Sequence, residues 1–424
     1  MQKKWIKNFD ELAITENRKL ALEIAEAGLR AIATEEVILN KIKLENNILS
    51  VMGQSFDLNN FKRIKVVGFG KAVGGAALAL EKVLGDKISV GAIVGLQEVK
   101  CEYIESFAGT HPRPSEANIL PGKRIYEIVR DSKEDDLLIV LVSGGGSALL
   151  SYPESEVEQG KKLYENALKS GQTINETNTV RKHLSLLKGG CLAKLAYPAT
   201  VIGIIFSDVP GDNFNEVASG ATYKDETTIE ETQKIIDQNN LGEYDLIETP
   251  KEDKYFEKVH NFVLVSNKTA VEAMAKKVEE LGMIPNIIST ELYDEVDNTL
   301  KKICDAKKQN TVVLAAGEPK LVVTKKGGSG GRSLFMGLRA IKLKIIDEDS
   351  VLIPLASDGM DNSDAAGVII DKNTYEHLEK TGINIDESLE SFDVYPVFQK
   401  SGDMIMTGST GANVSDLMIL LTRK

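Results

Sequence analysis

The chain has 424 residues, 42% hydrophobic and 27% charged, with a formal net charge of −12. That is more than one ordinary domain holds, so two domains are expected, and the composition is that of a globular protein. The acidic balance excludes a general electrostatic attraction to nucleic acid or anionic membrane, and no apolar run approaches the roughly 20 residues of a membrane span.

Residues 18–33 set Leu22, Ala25, Leu29 and Ile32 at spacings of 3, 4 and 3, one face of an amphipathic helix. Beyond it, apolar runs at 64–67, 90–95, 137–142, 200–206, 261–265, 311–315 and 351–356 read as strands. Helical patterns alternate with them at 71–83, 116–130, 158–169, 179–196, 267–282, 291–307 and 332–341. Such alternation calls for crossover units and mostly parallel sheets, hence an α/β fold. The charge-rich stretch from 222 to 258 is the best junction, part of it readable as an exposed helix, and gives expected domains 1–240 and 241–424. Cys101, Cys191 and Cys304 lie far apart, with neither metal-ligand spacing nor a disulfide framework, which suits the cytoplasm.

Open α/β sheets bind ligands at the carboxyl ends of their strands, so the strand exits carry the functional reading. The strongest follows 137–142: Ser143-Gly144-Gly145-Gly146-Ser147, where glycines let the backbone turn sharply and present its N–H groups at close range. A helix starting just beyond would make this an anion site; the alternative is a tight turn without a ligand. At the first exit, Gly68-Phe69-Gly70-Lys71 is spaced G-x-G-x-x-x-G, and the next strand ends at Gly95 without an acidic residue, so a dinucleotide fingerprint is defective. Lys71 stands where a helix should begin, a poor place for a cation unless it reaches an anion. His111, in Gly109-Thr110-His111-Pro112, is a weak signal. On a helix over 179–196, Arg181, Ser185 and Lys188 would share one face with Asn178 as cap, either a charged outer surface or part of a site.

Asp208 and Asp212 follow one strand; Asp358, Asp361 and Asp364 follow another. Carboxylates at such exits hold magnesium, accept a hydroxyl proton or simply make turns. Glu318 stands at a further exit, and Lys325-Lys326-Gly327-Gly328-Ser329-Gly330-Gly331-Arg332 precedes a helix, with Arg332 suited to fork onto a carboxylate or phosphate. Thr407 to Val414, with Thr410 and Asn413, reads as joining a strand to a helix. No P-loop, protein-kinase signature, H-E-x-x-H or G-x-S-x-G elbow is present.

Taken in series, Val67 to Ala72, Gly109 to Pro112, Ser143 to Leu149, Arg181 to Ser185 with Lys188-Gly189-Gly190, Ser207 to Asp212, Gly317-Glu318-Pro319, Gly328 to Arg332, Ser357 to Asp361 and Thr407 to Val414 resemble the glycerate 2-kinase family, the class II glycerate kinases with a MOFRL domain. The resemblance spans nearly the whole chain in order. It departs at Ser409, where proline is expected, and at Ser115-Glu116, where Asp-Glu is common. It implies a Rossmann-like parallel-sheet N-terminal domain, a mixed α/β C-terminal domain and an active site in the cleft between them. It also implies ATP- and Mg2+-dependent phosphorylation of D-glycerate, with the 2-hydroxyl as acceptor. Lys71, Arg332, Asp208 and Asp358 match the family's catalytic positions, the two aspartates also as metal ligands. Ser143, Gly144, Gly145, Gly146, Ser147, Arg181, Lys188, Glu318, Thr410 and Asn413 are the expected substrate- and phosphate-binding residues. Expected partners are the small substrate and the nucleotide, with neither nucleic acid nor membrane, and a homodimer is left open. A non-catalytic sugar-phosphate-binding regulator and a nicotinamide-dependent hydroxyacid oxidoreductase remain as alternatives.

Overall fold

The computed structural model describes residues 4–170, 173–209, 213–324 and 327–423. Pro210, Gly211 and Asp212 of one motif, and Lys325 and Lys326 of another, lie outside the described residues. The chain forms two compact units, residues 34–264 and residues 1–33 with 265–424.

In the unit 34–264, an antiparallel meander comes first: β1 (Ile42–Glu45), β2 (Ile48–Val51) and β3 (Gln54–Asp57). A six-stranded sheet follows, built from β4 (Arg63–Phe69), β5 (Ile88–Gly95), β6 (Glu105–Ala108), β7 (Asp136–Ser143), β8 (Thr200–Phe206) and β9 (Val259–Val265). Its order is β6-β5-β4-β7-β8-β9, with parallel pairing of β4 to β5, β4 to β7, β5 to β6 and β7 to β8. This is the doubly wound arrangement, in which the chain moves outward from β4 to one edge and then returns to build the other half. Every residue of β7 is buried, as expected of a central strand covered on both faces. Val67, Phe69, Val140, Val142, Leu149 and Leu187 form its core. The polar stretch after Thr222 contains the helix Ile229–Gln238, capped reciprocally by Thr228 and Glu231, and leads into β9 of the same sheet.

In the other unit, β10 (Ile284–Leu292), β11 (Thr311–Gly317), β12 (Ser350–Ala356), β13 (Gly367–Val368), β14 (Met404–Ile405) and β15 (Asp416–Thr422) form a mixed sheet of order β10-β11-β15-β12-β13-β14. The pair β10 and β11 is parallel, while β15 runs antiparallel to both β11 and β12. The helix Glu16–Ala31 belongs here. Leu22, Ala25, Leu29 and Ile32 are all buried, as their spacing predicts, and Gly28 admits close packing against Met274. Arg18 is 2% exposed; it donates to Asp371 at 2.7 and 2.8 Å and to Thr374 at 2.9 Å, and pairs with Asp403 at 2.8 Å. No described helix is long and apolar enough to cross a membrane.

Three sequence expectations change. The helix expected over 179–196 is two, Ile174–Lys182 and Cys191–Ala196, because the chain leaves helical geometry after Lys182 and passes through Gly189 and Gly190 at φ of 55° and 81°. Arg181, Ser185 and Lys188 therefore do not share a helical face, and Thr173 rather than Asn178 is the cap. The pattern at 291–307 divides into the end of β10 and the helix Val296–Asp305. Residues 407–414 connect β14 to β15, a strand to a strand.

Candidate active site

The adjacent strands β4 and β7 diverge in their connections, β4 leading toward β5 on one side and β7 toward β8 on the other. The crevice at their carboxyl ends is the topological switch point of the sheet. The two turns there are laced together: the Lys71 N–H donates to the Gly144 carbonyl at 2.9 Å, and the Ala72 N–H to Ser143 Oγ at 3.0 Å. Ser147 Oγ meets Ser219 Oγ at 2.8 Å. Only a short helix follows, Gly146–Leu149, with Gly145 at φ 81° before it. Glycine is required for close approach as well as for turning. A Cβ on Gly144 would stand 1.8 Å from Asp208 Oδ2, and one on Gly145 would stand 3.0 Å from Lys71 Cγ and 3.2 Å from His111 Cδ2. Sequence-distant Lys71, His111, Ser143 to Ser147 and Asp208 are thus gathered at one turn.

Arg181 completes the positive side. Its Nη1 donates to Asn178 Oδ1 at 3.2 Å, and burial lowers its pKa, with Glu156 and then Tyr164 acting in the opposite direction. Burial, followed by the charges of Lys71 and Arg181, brings the His111 pKa down to about 4, so the ring is neutral at pH 7. Two cations thus lie within electrostatic range of one neutral imidazole, at a turn that also carries the Asp208 carboxylate.

Lys188 lies elsewhere. It is 1% exposed, ion-paired with Glu156, and donates to the Leu150 carbonyl at 2.6 Å; Glu156 also accepts from the Tyr152 N–H at 2.8 Å. Burial pushes the Glu156 carboxyl up and the Lys188 ammonium down, each drawn back by the other. Lys188 therefore braces the chain following the turn rather than facing a ligand.

A second constellation forms in the mixed sheet. Asp416 opens the central strand β15 and is registered against both Gly317 and Ala356, the last residues of β11 and β12. The register sets it between the exits that carry Glu318 and Asp358. Arg332, first residue of the helix Arg332–Leu343, donates from Nε to Asp416 Oδ2 at 2.9 Å and from Nη1 to Glu318 Oε2 at 3.3 Å. Asp361 accepts from the N–H groups of Gly331, Ser333 and Leu334 at 3.1, 3.1 and 2.7 Å, capping that helix. Asp358 Oδ1 accepts from the Met360 N–H at 3.0 Å. With Asn413, these residues line a cavity of about 240 Å³. Burial pushes the Asp416 carboxyl up to about 7, against the pull of Arg332 and aided by Asp361 and Glu318.

Thr410 is buried, its hydroxyl donating to the Ser357 carbonyl at 2.7 Å, so it shapes the loop without lining the cavity. Asp364 is exposed and accepts from the Tyr395 hydroxyl at 2.7 Å. Sequence reasoning missed Asp416, because it begins a strand instead of ending one, and Glu156, which sits inside an ordinary helical charge pattern. Among the described residues no three or more His, Cys, Asp or Glu side chains converge as a metal site.

A doubly wound sheet with Lys71, His111 and Asp208 gathered at the glycine turn of its switch point, together with a carboxylate-lined cavity in a mixed sheet, defines an α/β protein of two units. Residues 20–252 match a family described as "Domain of unknown function (DUF4147)", and residues 311–416 match the MOFRL family. Glycerate 2-kinase of Pyrococcus horikoshii is 32% identical, over 95% of this chain and 98% of that protein. D-glycerate 2-kinase of Thermotoga maritima is 34% identical, over 95% and 97%. The crystal structure of a glycerate kinase from T. maritima superposes with a TM-score of 0.83 at 31% identity, covering 95% of this chain and 99% of that one. A protein of Agrobacterium vitis bearing the provisional name of a hydroxypyruvate reductase is 33% identical over 85% and 87%. The chain belongs to the glycerate 2-kinase family.

Proposed function

We propose that this protein transfers the γ-phosphoryl group of ATP to D-glycerate, giving 2-phosphoglycerate and ADP. The observation that carries the reading is the convergence of Lys71 and Arg181 on the Ser143–Ser147 turn at the switch point, in a chain whose relatives include proteins named for this reaction. Phosphoryl transfer needs alignment and charge stabilisation more than covalent help from the protein. The turn, with Lys71 and Arg181, seats a phosphate group. Arg332 balances charge among Glu318, Asp358 and Asp416, and Asn413 offers a polar contact in that cavity. The glycerate hydroxyl oxygen forms the new bond to phosphorus, the bond from phosphorus to the departing ADP oxygen breaks, and the hydroxyl proton passes to a carboxylate, Asp208 or Asp358. Mg2+ commonly keeps only one or two protein carboxylates and takes further oxygens from the substrate phosphates. Asp208 and Asp358 are both partly buried and suit that mode, and the one that does not take the proton is the proposed ligand. When bound, the ion supplies neutralisation of phosphate charge. A cytoplasmic setting, where ATP is supplied, fits the free cysteines Cys101, Cys191 and Cys304.

The test is ADP release that requires ATP, Mg2+ and D-glycerate together, with phosphorus NMR of the product showing the phosphate on the 2-oxygen. Binding of glycerate and nucleotide without turnover would instead mark a regulator. Oxidation of a nicotinamide cofactor with hydroxypyruvate, without ADP release, would mark an oxidoreductase.

A further inference from the structure

We infer that His111 is a third ligand of the anion held at the Ser143–Ser147 turn, and that its imidazole takes up a proton as a phosphate-type dianion arrives. The inference rests on the phosphate reading of that turn and deepens it. Gly145 presents a bare backbone face, and two side chains close on it from different loops. The Lys71 stem lies 3.0 Å from the point where a Cβ would stand, and the His111 ring edge, at Cδ2, 3.2 Å from it. The ring is only partly exposed, and among the described residues neither of its nitrogens has a hydrogen-bond partner. The charged groups that bear on the ring are Lys71, from the turn after β4, and Arg181, from the helix Ile174–Lys182. Arg113 of its own loop is turned to Glu165. The Ser143–Ser147 turn contributes backbone and hydroxyl groups, and the Asp208 carboxylate, from the exit of β8, stands against Gly144 of that turn.

Without a ligand, burial and the two cations keep the ring neutral, with a pKa of about 4. An imidazole in that state offers one N–H; once protonated it offers two. A dianion beside Lys71 and Arg181 offsets both cations and itself favours the charged ring, which works against the larger effect of burial, and the charged ring then adds a charge-assisted hydrogen bond. A carboxylate monoanion offsets only one of the two charges. The turn therefore selects the phosphate group rather than the carboxylate of glycerate.

The chain has four histidines, His111, His183, His260 and His377, so the ring signals of the whole protein can be followed by NMR and that of His111 assigned by its loss in His111→Asn. Sulfate is the probe, because it remains a dianion throughout the titration. Saturating sulfate is expected to raise the His111 titration midpoint by roughly three pH units, to near 7, and trifluoroacetate, a carboxylate that stays a monoanion throughout the titration, to leave it nearly unmoved. His111→Asn, checked for fold by circular dichroism, is expected to weaken sulfate binding roughly tenfold. A midpoint that stays well below neutrality with sulfate, or that moves equally with trifluoroacetate, overturns the inference. Turnover of ATP and glycerate is measured on the same preparation. Turnover with an unmoved midpoint sinks this inference alone, whereas a sulfate-shifted midpoint without turnover sinks the kinase reading and leaves the anion ligand standing.

Discussion

At the scale of single residues, close approach decides the chemistry. Gly144 has no room for a methyl group because the Asp208 carboxylate occupies that space. Gly144→Ala is expected to displace Asp208 and abolish most turnover while leaving the circular dichroism spectrum intact; normal kcat would show that Asp208 has no role at this turn. Lys71→Ala should lower kcat by roughly a hundredfold, as loss of a charge stabilising the transition state does, and Arg332→Ala should lower it as well, by leaving Glu318 and Asp416 unbalanced beside Asp358. Near-normal turnover in both folded variants would remove these assignments. Asp416 gives a pH signature. Its carboxyl titrates near 7 when folded and near the ordinary value of about 4 when unfolded, so the folded state holds the proton more tightly. Its contribution to stability is full below pH 4 and is lost as the pH rises through 7. In urea unfolding, the stability of the wild type relative to Asp416→Asn should fall across that window and level off above it; a pH-independent difference would mean the carboxyl is ionised throughout. The placement of Lys71, Asp208 and Arg332 beside glycine-rich turns was legible because such turns are conspicuous in the sequence. Asp416 was not, since only the antiparallel register of β15 brings it between two exits.

At the scale of elements, β4, β5, β7, β8, β9, β11 and β12, seven of the fifteen described strands, were written in their apolar runs, and parallel pairing in the doubly wound sheet follows from their alternation with helices. The errors arose where glycine geometry outweighed periodicity. The spacing of Arg181, Ser185 and Lys188 imitates a helical face, yet Gly189 and Gly190 adopt positive φ and turn the chain so that Lys188 points into the core toward Glu156. That pair supports the segment after the anion turn through the Leu150 carbonyl and the Tyr152 N–H. Lys188→Met would strand a buried carboxylate, an expected loss of about 3–5 kcal/mol in urea unfolding. Adding Glu156→Gln to it should recover part of that loss, since the remaining group carries no charge. If the double variant is as unstable as the single, the contribution of Lys188 is packing rather than charge. The strand β15 escaped notice because its Leu- and Met-rich run lacks the β-branched character of β7, and its partners lie far away in sequence.

At the scale of the whole molecule, the chain closes on itself: residues 1–33 are part of the unit completed by 265–424. The helix Glu16–Ala31 supplies that unit with Leu22, Ala25 and Leu29, all buried, and Arg18 supplies the guanidinium shared by Asp371 and Asp403. Without Arg18 those two carboxylates, each nearly inaccessible to water, would face each other uncompensated, and removing one partner of such a pair costs about 3–5 kcal/mol. A domain's net stability is itself only about 5–15 kcal/mol, and the lost apolar face adds to the deficit. The segment 34–264, by contrast, is continuous and carries its own sheet and core. Expressed separately, 34–264 is therefore expected to unfold cooperatively in urea, whereas 265–424 should not, and a peptide of residues 1–33 should restore its transition. Arg18→Ala in that peptide should weaken the rescue. A cooperative transition in 265–424 alone would show that the N-terminal helix is an accessory to that unit and not a component of its core.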